Sequence, residues 1–145
     1  MNRLFFDTSA LVKRYYEEPG TETVDTLIEG ESTVVISSLA VVETVSAFRR
    51  KYNRDGISEL RMNRLLSAFF EEALAEFVIL PMDESAFQFS FSLVLEHNLR
   101  TLDSLQLSAA LTVDTEDKPV TFVSADTELV ATADANGLTT VNPDK

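Results

Sequence analysis

The sequence predicts an α/β domain: a mostly parallel central sheet of about five strands with helices on both faces. Short runs rich in Val, Ile, Phe and Leu recur along the chain, and between them lie longer segments whose apolar residues repeat at helical spacing. With 145 residues, no internal repeat and no linker-like tract, the chain is expected to form one domain over residues 1–145.

The first strand is Leu4-Phe5-Phe6, an apolar run that stops at Asp7, after which Ala10 and Leu11 return to helical spacing through Tyr15 and Tyr16. Glu18-Pro19-Gly20-Thr21 breaks this segment and leads into a short helix ending near Gly30. Val34, Val35 and Ile36 form the second strand. Ser37 or Ser38 can cap the next helix, which is expected to bury Leu39, Val42, Val45 and Phe48 and to stop at Arg54-Asp55-Gly56. From Ile57 to Glu76, Met62, Leu65, Leu66, Phe69 and Ala73 mark an amphipathic helix that belongs to the core or to an interface. Phe77 to Leu80 is the third strand, ended by Pro81. A helix opened by Asp83 or Ser85 then carries Phe87, Phe91, Val94 and Leu95 on one face and ends at His97. Leu102, Leu105 and Ala109 mark another helix, Val120 to Val123 the fourth strand, Thr127 to Asn136 a helix closed by Gly137, and Thr139 to Val141 the last strand.

Composition narrows the function classes. There is no Cys, which excludes a disulfide framework and thiolate-held zinc and fits a reducing, cytoplasmic setting. No apolar run approaches a membrane span, and none of the features of a signal peptide is visible. A formal charge of -12 argues against a general nucleic-acid binder, whose affinity rests on basic residues neutralising phosphates. Of the 12 basic residues, however, Arg49, Arg50, Lys51, Arg54, Arg61 and Arg64 fall in one stretch, so an acidic molecule can still present a local positive face.

Most of the 24 acidic residues lie on polar stretches. Asp7, Glu43, Asp103 and Asp126 do not. Asp7 follows the first strand, Glu43 sits within Leu39-Ala40-Val41-Val42-Glu43-Thr44-Val45, Asp103 follows Leu102 at a helix start, and Asp126 follows Thr121-Phe122-Val123-Ser124-Ala125. Helix capping is an ample account of any one of the three aspartates alone. Glu43 is different, because an ionised carboxylate is rarely enclosed by apolar residues without a cation. If the four meet at one edge of the sheet, their repulsion raises pKa values or demands a counter-ion; a hard divalent cation is the natural answer, and oxygen ligands without Cys select Mg²⁺ or Mn²⁺. The single histidine, His97, lies in a loop-like stretch and is a poor general base, and no glycine-rich phosphate loop is present.

Four blocks in order resemble a PIN-domain ribonuclease, specifically the toxin of a VapBC-type toxin-antitoxin pair. They are Leu4 to Lys13, Ser37 to Glu43, Leu102 to Ala110, and Phe122 to Asp126 running on to Gly137-Leu138 and Asn142-Pro143. The resemblance implies that Asp7, Glu43, Asp103 and Asp126 bind Mg²⁺ or Mn²⁺ and carry catalysis, with Ser9 and Ser124 as polar supports. It implies hydrolysis of RNA phosphodiesters, a small antitoxin that occupies the acidic groove, and homodimerisation. The family often has Thr where Ser124 stands, and a small or polar pair where Ser104-Leu105 stands; neither departure removes a carboxylate.

Beside this, Arg49, Arg50, Lys51 and Arg54 are expected to line the RNA approach, and Met62, Leu65 and Phe69 offer a dimer face unless buried in the monomer. An antitoxin is expected to place a basic residue among the carboxylates. The competing reading is a catalytically silent module of the same fold acting through protein contacts. A receiver-like phosphotransfer domain using Asp7 as acceptor is disfavoured, because the adjacent acidic pair and the late strand-end Lys it needs are missing.

Overall fold

A computed structural model describes residues 2–145. Strands β1 (Arg3–Phe6), β2 (Thr33–Ser37), β3 (Val78–Leu80), β4 (Val120–Val123) and β5 (Thr139–Val141) form one sheet in the order β3-β2-β1-β4-β5. All four pairings are parallel, with Leu4 opposite Val34 on one side and opposite Thr121 on the other. The expected five-stranded parallel sheet is therefore present.

Because side chains alternate along a strand, β1 feeds two cores. Leu4 and Phe6 pack, with Val34 and Ile36, under helices α1 (Thr8–Leu11), α2 (Thr21–Glu29), α3 (Ser38–Arg54) and α4 (Glu59–Glu76). Phe5 points the other way, stacking on Phe122 with ring centroids 5.9 Å apart. That second core is covered by α5 (Ser90–His97), α6 (Thr101–Val113) and α7 (Thr127–Ala135). On the first face Tyr15, Phe48 and Phe69 meet edge to face, the favoured geometry for aromatic rings.

Three expectations about helix faces are corrected. In α3 the buried residues are Ala40, Thr44 and Phe48, whereas Val42 is 66% exposed; small side chains at i and i+4 let the helix lie close on the sheet, and the larger valine is turned away. The stretch opened by Asp83 is a 3₁₀ turn (Glu84–Phe87) followed by α5, and its apolar face is not core: Phe91 is 77% and Leu95 83% exposed. Leu102 in α6 is likewise exposed, and Ser104, Gln106, Leu107 and Ser108 are buried instead. Conversely, Met62, Leu65, Phe69 and Ala73 of α4 are all buried within the monomer, so they cannot form a dimer face.

The sheet order sets where a site can lie. Strands β2 and β3 extend to one side of β1, and β4 and β5 to the other, so the topological switch point falls between β1 and β4. The crevice outside the carboxyl ends of these two strands is where an open α/β sheet binds its ligand.

Candidate functional site

Asp7 is the first residue beyond β1 and is 4% exposed. Its backbone N–H continues the ladder to the Val123 carbonyl at 3.0 Å, which fixes it at the switch point. Although Asp7 stands at the N-cap of α1, its side chain makes no capping bond. The carboxylate is held instead by Ser9 Oγ, donating to Oδ2 at 2.6 Å, and Ser124 Oγ, donating to the same oxygen at 2.9 Å. Each serine oxygen also accepts a backbone N–H from the turn after β4: Ala125 onto Ser9 at 3.0 Å and Asp126 onto Ser124 at 3.1 Å. The two expected polar supports thus join the end of β1 to the end of β4 through the aspartate.

Glu43 lies a turn and a half into α3, which leaves β2 directly, so it stands at the same edge. It is half-buried, and its Oε1 accepts from Thr8 Oγ1 at 3.0 Å and from Gln106 Nε2 at 2.9 Å. Asp103 is in the first turn of α6, which runs back towards the start of β4 and therefore begins at the carboxyl edge. Asp126 caps α7, its Oδ1 accepting from the Leu129 N–H at 3.1 Å. For Asp126 the capping role is real, and it coexists with a position in the crevice.

The four carboxylates share one electrostatic environment. Burial raises the Asp7 carboxyl above its ordinary range, the two serine hydroxyls partly offset this, and the charge of Glu43 adds to it. Burial, followed by the charges of Asp7, Asp126 and Glu43, pushes the Asp103 carboxyl up to about 6, with Arg100 the opposing cation. A polar cavity of about 390 Å³ opens here, lined by Asn98, Leu99, Arg100, Asp103, Asp126 and Glu128. Asp7 and Glu43 sit on the β1 and α3 side, and Asp103 and Asp126 face the opening.

This donor set is all oxygen and carries excess negative charge, the chemistry that suits Mg²⁺ or Mn²⁺. Among the described residues no three His, Cys, Asp or Glu side chains close on one point as they stand. A Mg²⁺ site does not require that, since this ion is commonly held by one or two carboxylates and completes its shell with water and substrate phosphate.

Sequence reasoning missed Thr8 and Gln106 as parts of the site. Gln106 follows Asp103 by three residues, on the same face of α6, and a fully buried amide in an apolar helix was the available signal. The basic stretch divides. Lys51 pairs with Glu18 at 3.2 Å and Asp55 at 3.7 Å and lies over the Tyr16 ring. Arg49 stacks on Tyr52, and Arg61 on Tyr16. Arg50 and Arg54 are exposed and follow Glu43 at i+7 and i+11, about 10 and 16 Å along one face of α3. His97 is exposed at the end of α5, with its Nε2 3.5 Å from Asn136 Nδ2.

An all-parallel sheet with hydrogen-bonded carboxylates gathered at its switch point defines an α/β domain with an acidic crevice. The chain belongs to the PIN domain family, whose model matches residues 4–135. Solved structures share the fold over nearly the whole chain. The structure of FitAcB from Neisseria gonorrhoeae is similar with a TM-score of 0.70 at 19% identity, covering 97% of each chain. VapBC2 from Rickettsia felis, bound to a DNA fragment from its promoter, gives 0.66 at 17% identity over 97% of this chain and 98% of that one. DNA-bound VapBC from Salmonella typhimurium gives 0.68 at 14% identity over 99% of both. Identities this low carry the fold alone. No curated protein sequence matches the chain closely. No described helix is long and apolar enough to cross a membrane.

Proposed function

We propose that this protein is a Mg²⁺- or Mn²⁺-dependent endoribonuclease, the toxin of a VapBC-type toxin-antitoxin pair. The observation that carries the reading is the mutual influence of Asp7, Glu43, Asp103 and Asp126 at the switch point, a concentration of negative charge that Arg100 alone does not balance.

Asp7 and Glu43 would hold the ion, with Asp103 and Asp126 completing its surroundings from the open side. A bound divalent ion lowers the pKa of water and neutralises charge on phosphate oxygens. Asp103, which lines the open side of the crevice beside Asp126, is the group suited to orient the attacking water and accept its proton. The water oxygen adds to phosphorus and one P–O bond to ribose breaks, leaving a phosphate monoester on one fragment and a hydroxyl on the other. Arg100, on the rim of the cavity, offers a positive charge to the substrate phosphate. Arg50 and Arg54 extend a positive track along α3 from Glu43, so an acidic protein can still guide RNA to its crevice.

The same concentration of carboxylates accepts an arginine from another chain, and we assign that role to a basic residue of the small antitoxin. The exposed Phe91, Val94 and Leu95 of α5 are the homodimer face in this reading, in place of the buried α4 residues. One observation favours the silent binding module instead: among the described residues no three His, Cys, Asp or Glu side chains close on one point. The assay that separates the two is cleavage of single-stranded RNA with Mn²⁺, Mg²⁺ or EDTA by wild type and Asp7→Asn. A nuclease loses cleavage in EDTA and on substitution; absence of cleavage by wild type under every condition supports the silent module.

A further inference from the structure

Gln106 is 1% exposed and bonds three residues from three other elements. Ser37 Oγ donates to its Oε1 at 2.8 Å, and its Nε2 donates to Thr8 Oγ1 at 3.1 Å and to Glu43 Oε1 at 2.9 Å. The orientation of the amide follows from the hydrogens. Ser37 Oγ accepts the Ala40 N–H at 3.1 Å as the cap of α3 and keeps one proton to donate; the amide oxygen facing it takes that proton, whereas a facing NH₂ would leave the buried hydroxyl hydrogen without an acceptor among the described groups. A flipped amide would set Oε1 against a Glu43 oxygen, acceptor against acceptor. Both ends of the side chain therefore select the same arrangement, with two hydrogens on Nε2, one for Thr8 and one for Glu43. Thr8 then gives its own proton to the same Glu43 Oε1 at 3.0 Å.

Both donors thus fall on Oε1, and no described group donates to Oε2 of Glu43. Asp7 is held in the same manner, with Ser9 and Ser124 both on Oδ2. We propose that Gln106 is a positioning residue for the metal centre: its Ser37-locked amide clamps Glu43 Oε1 and commits this carboxylate to bind a divalent cation through Oε2 alone. A free glutamate side chain has several rotamers to lose when it binds an ion, and a clamp set at folding removes that loss from the binding step. The cap of α3, the first turn after β1 and the buried face of α6 are in this way joined to one ligand.

The inference rests on the metal-centre reading above, and the test separates the two. Mn²⁺ alone is titrated into wild type, Gln106→Met and Gln106→Asn, with free Mn²⁺ followed by electron paramagnetic resonance and folding checked by circular dichroism in EDTA. Methionine keeps the volume and removes every hydrogen bond; asparagine is one methylene too short to reach both partners. Folded variants are expected to bind Mn²⁺ about 10- to 100-fold more weakly than wild type, the usual consequence of removing a group that orients a metal ligand. If neither variant folds, Thr8→Val, which removes one of the two donors to Oε1 at a half-exposed position, is expected to weaken binding several-fold, and unchanged affinity would overturn the clamp. Wild-type affinity in a folded Gln106 variant would overturn the clamp while leaving the metal centre intact. Failure of wild type itself to take up Mn²⁺ would remove the metal centre and the clamp together.

Discussion

Replacing Asp103 with Asn in the metal-free protein isolates the electrostatic cost of the crowded crevice. Burial and then three neighbouring carboxylates raise the Asp103 carboxyl to about 6, against about 3.9 in an unfolded chain. A carboxyl with a raised folded value binds more protons folded than unfolded. Stability therefore falls as pH rises between about 4 and about 6, and the full penalty is present above that window. Felt without screening, such a shift is worth about 3 kcal/mol; Asp103 is only half-buried, and solvent reduces this to about 1 kcal/mol. At about 2.1 cal/mol/K of unfolding entropy per residue, a chain of 145 residues converts about 1 kcal/mol into about 3 °C of Tm. Thermal unfolding in EDTA should therefore show Asp103→Asn melting about 3 °C above wild type at pH 8, with the gap closing to within about 1 °C at pH 4. Saturating Mn²⁺ should reverse the order at pH 8, since the ion stabilises the protein that binds it. A lower Tm for the variant at pH 8 in EDTA, or a gain of equal size at both pH values, would refute the reasoning.

Arg14 bonds Asp25, Glu29 and both carboxylate oxygens of Glu72, to which Tyr15 also donates, so Arg14→Met should cost about 2 to 3 kcal/mol in urea unfolding at pH 7. Although burial opposes it, the Arg14 and Tyr15 hydrogen bonds hold Glu72 below its ordinary range; that stability is present above about pH 4.3 and is lost as pH falls, so the difference between wild type and variant should shrink at pH 3.5. Charge reversal at Arg50 and Arg54 together should weaken RNA binding and reduce its salt slope by about one per arginine, measured by fluorescence anisotropy at several salt concentrations. Leu95→Glu lies on an 83% exposed position, so it should leave Tm nearly unchanged while converting a sedimenting dimer to monomer.

The strands were legible because each is a compact β-branched or aromatic run, and α4 because its apolar spacing is regular and Met62, Leu65, Phe69 and Ala73 are all buried. In α3 the phase was misread: hydropathy gives weight to Val42, but Ala40 and Thr44 lie against the sheet and Val42 is turned to solvent. The apolar face of α5 was legible as a face, but a sequence pattern does not distinguish a core from an exposed patch. The four carboxylates could be read from where they stand relative to strand ends and helix starts. Their hydrogen-bond partners could not, because the bonds from Thr8 and Gln106 to Glu43 span 35 and 63 residues, separations that only the sheet order brings together. Ser9 and Ser124 both bond Asp7, and Thr8 bonds Glu43.

The central claim is that the carboxylates at the switch point hold a divalent ion. Its most direct test is a crystal structure of Mn²⁺-soaked protein with anomalous data collected near the manganese edge. The account predicts one strong peak within coordination distance of Asp7, lost in Asp7→Asn crystals. A Mn²⁺ peak elsewhere on the acidic surface with none near Asp7, or one that survives the substitution, would contradict it.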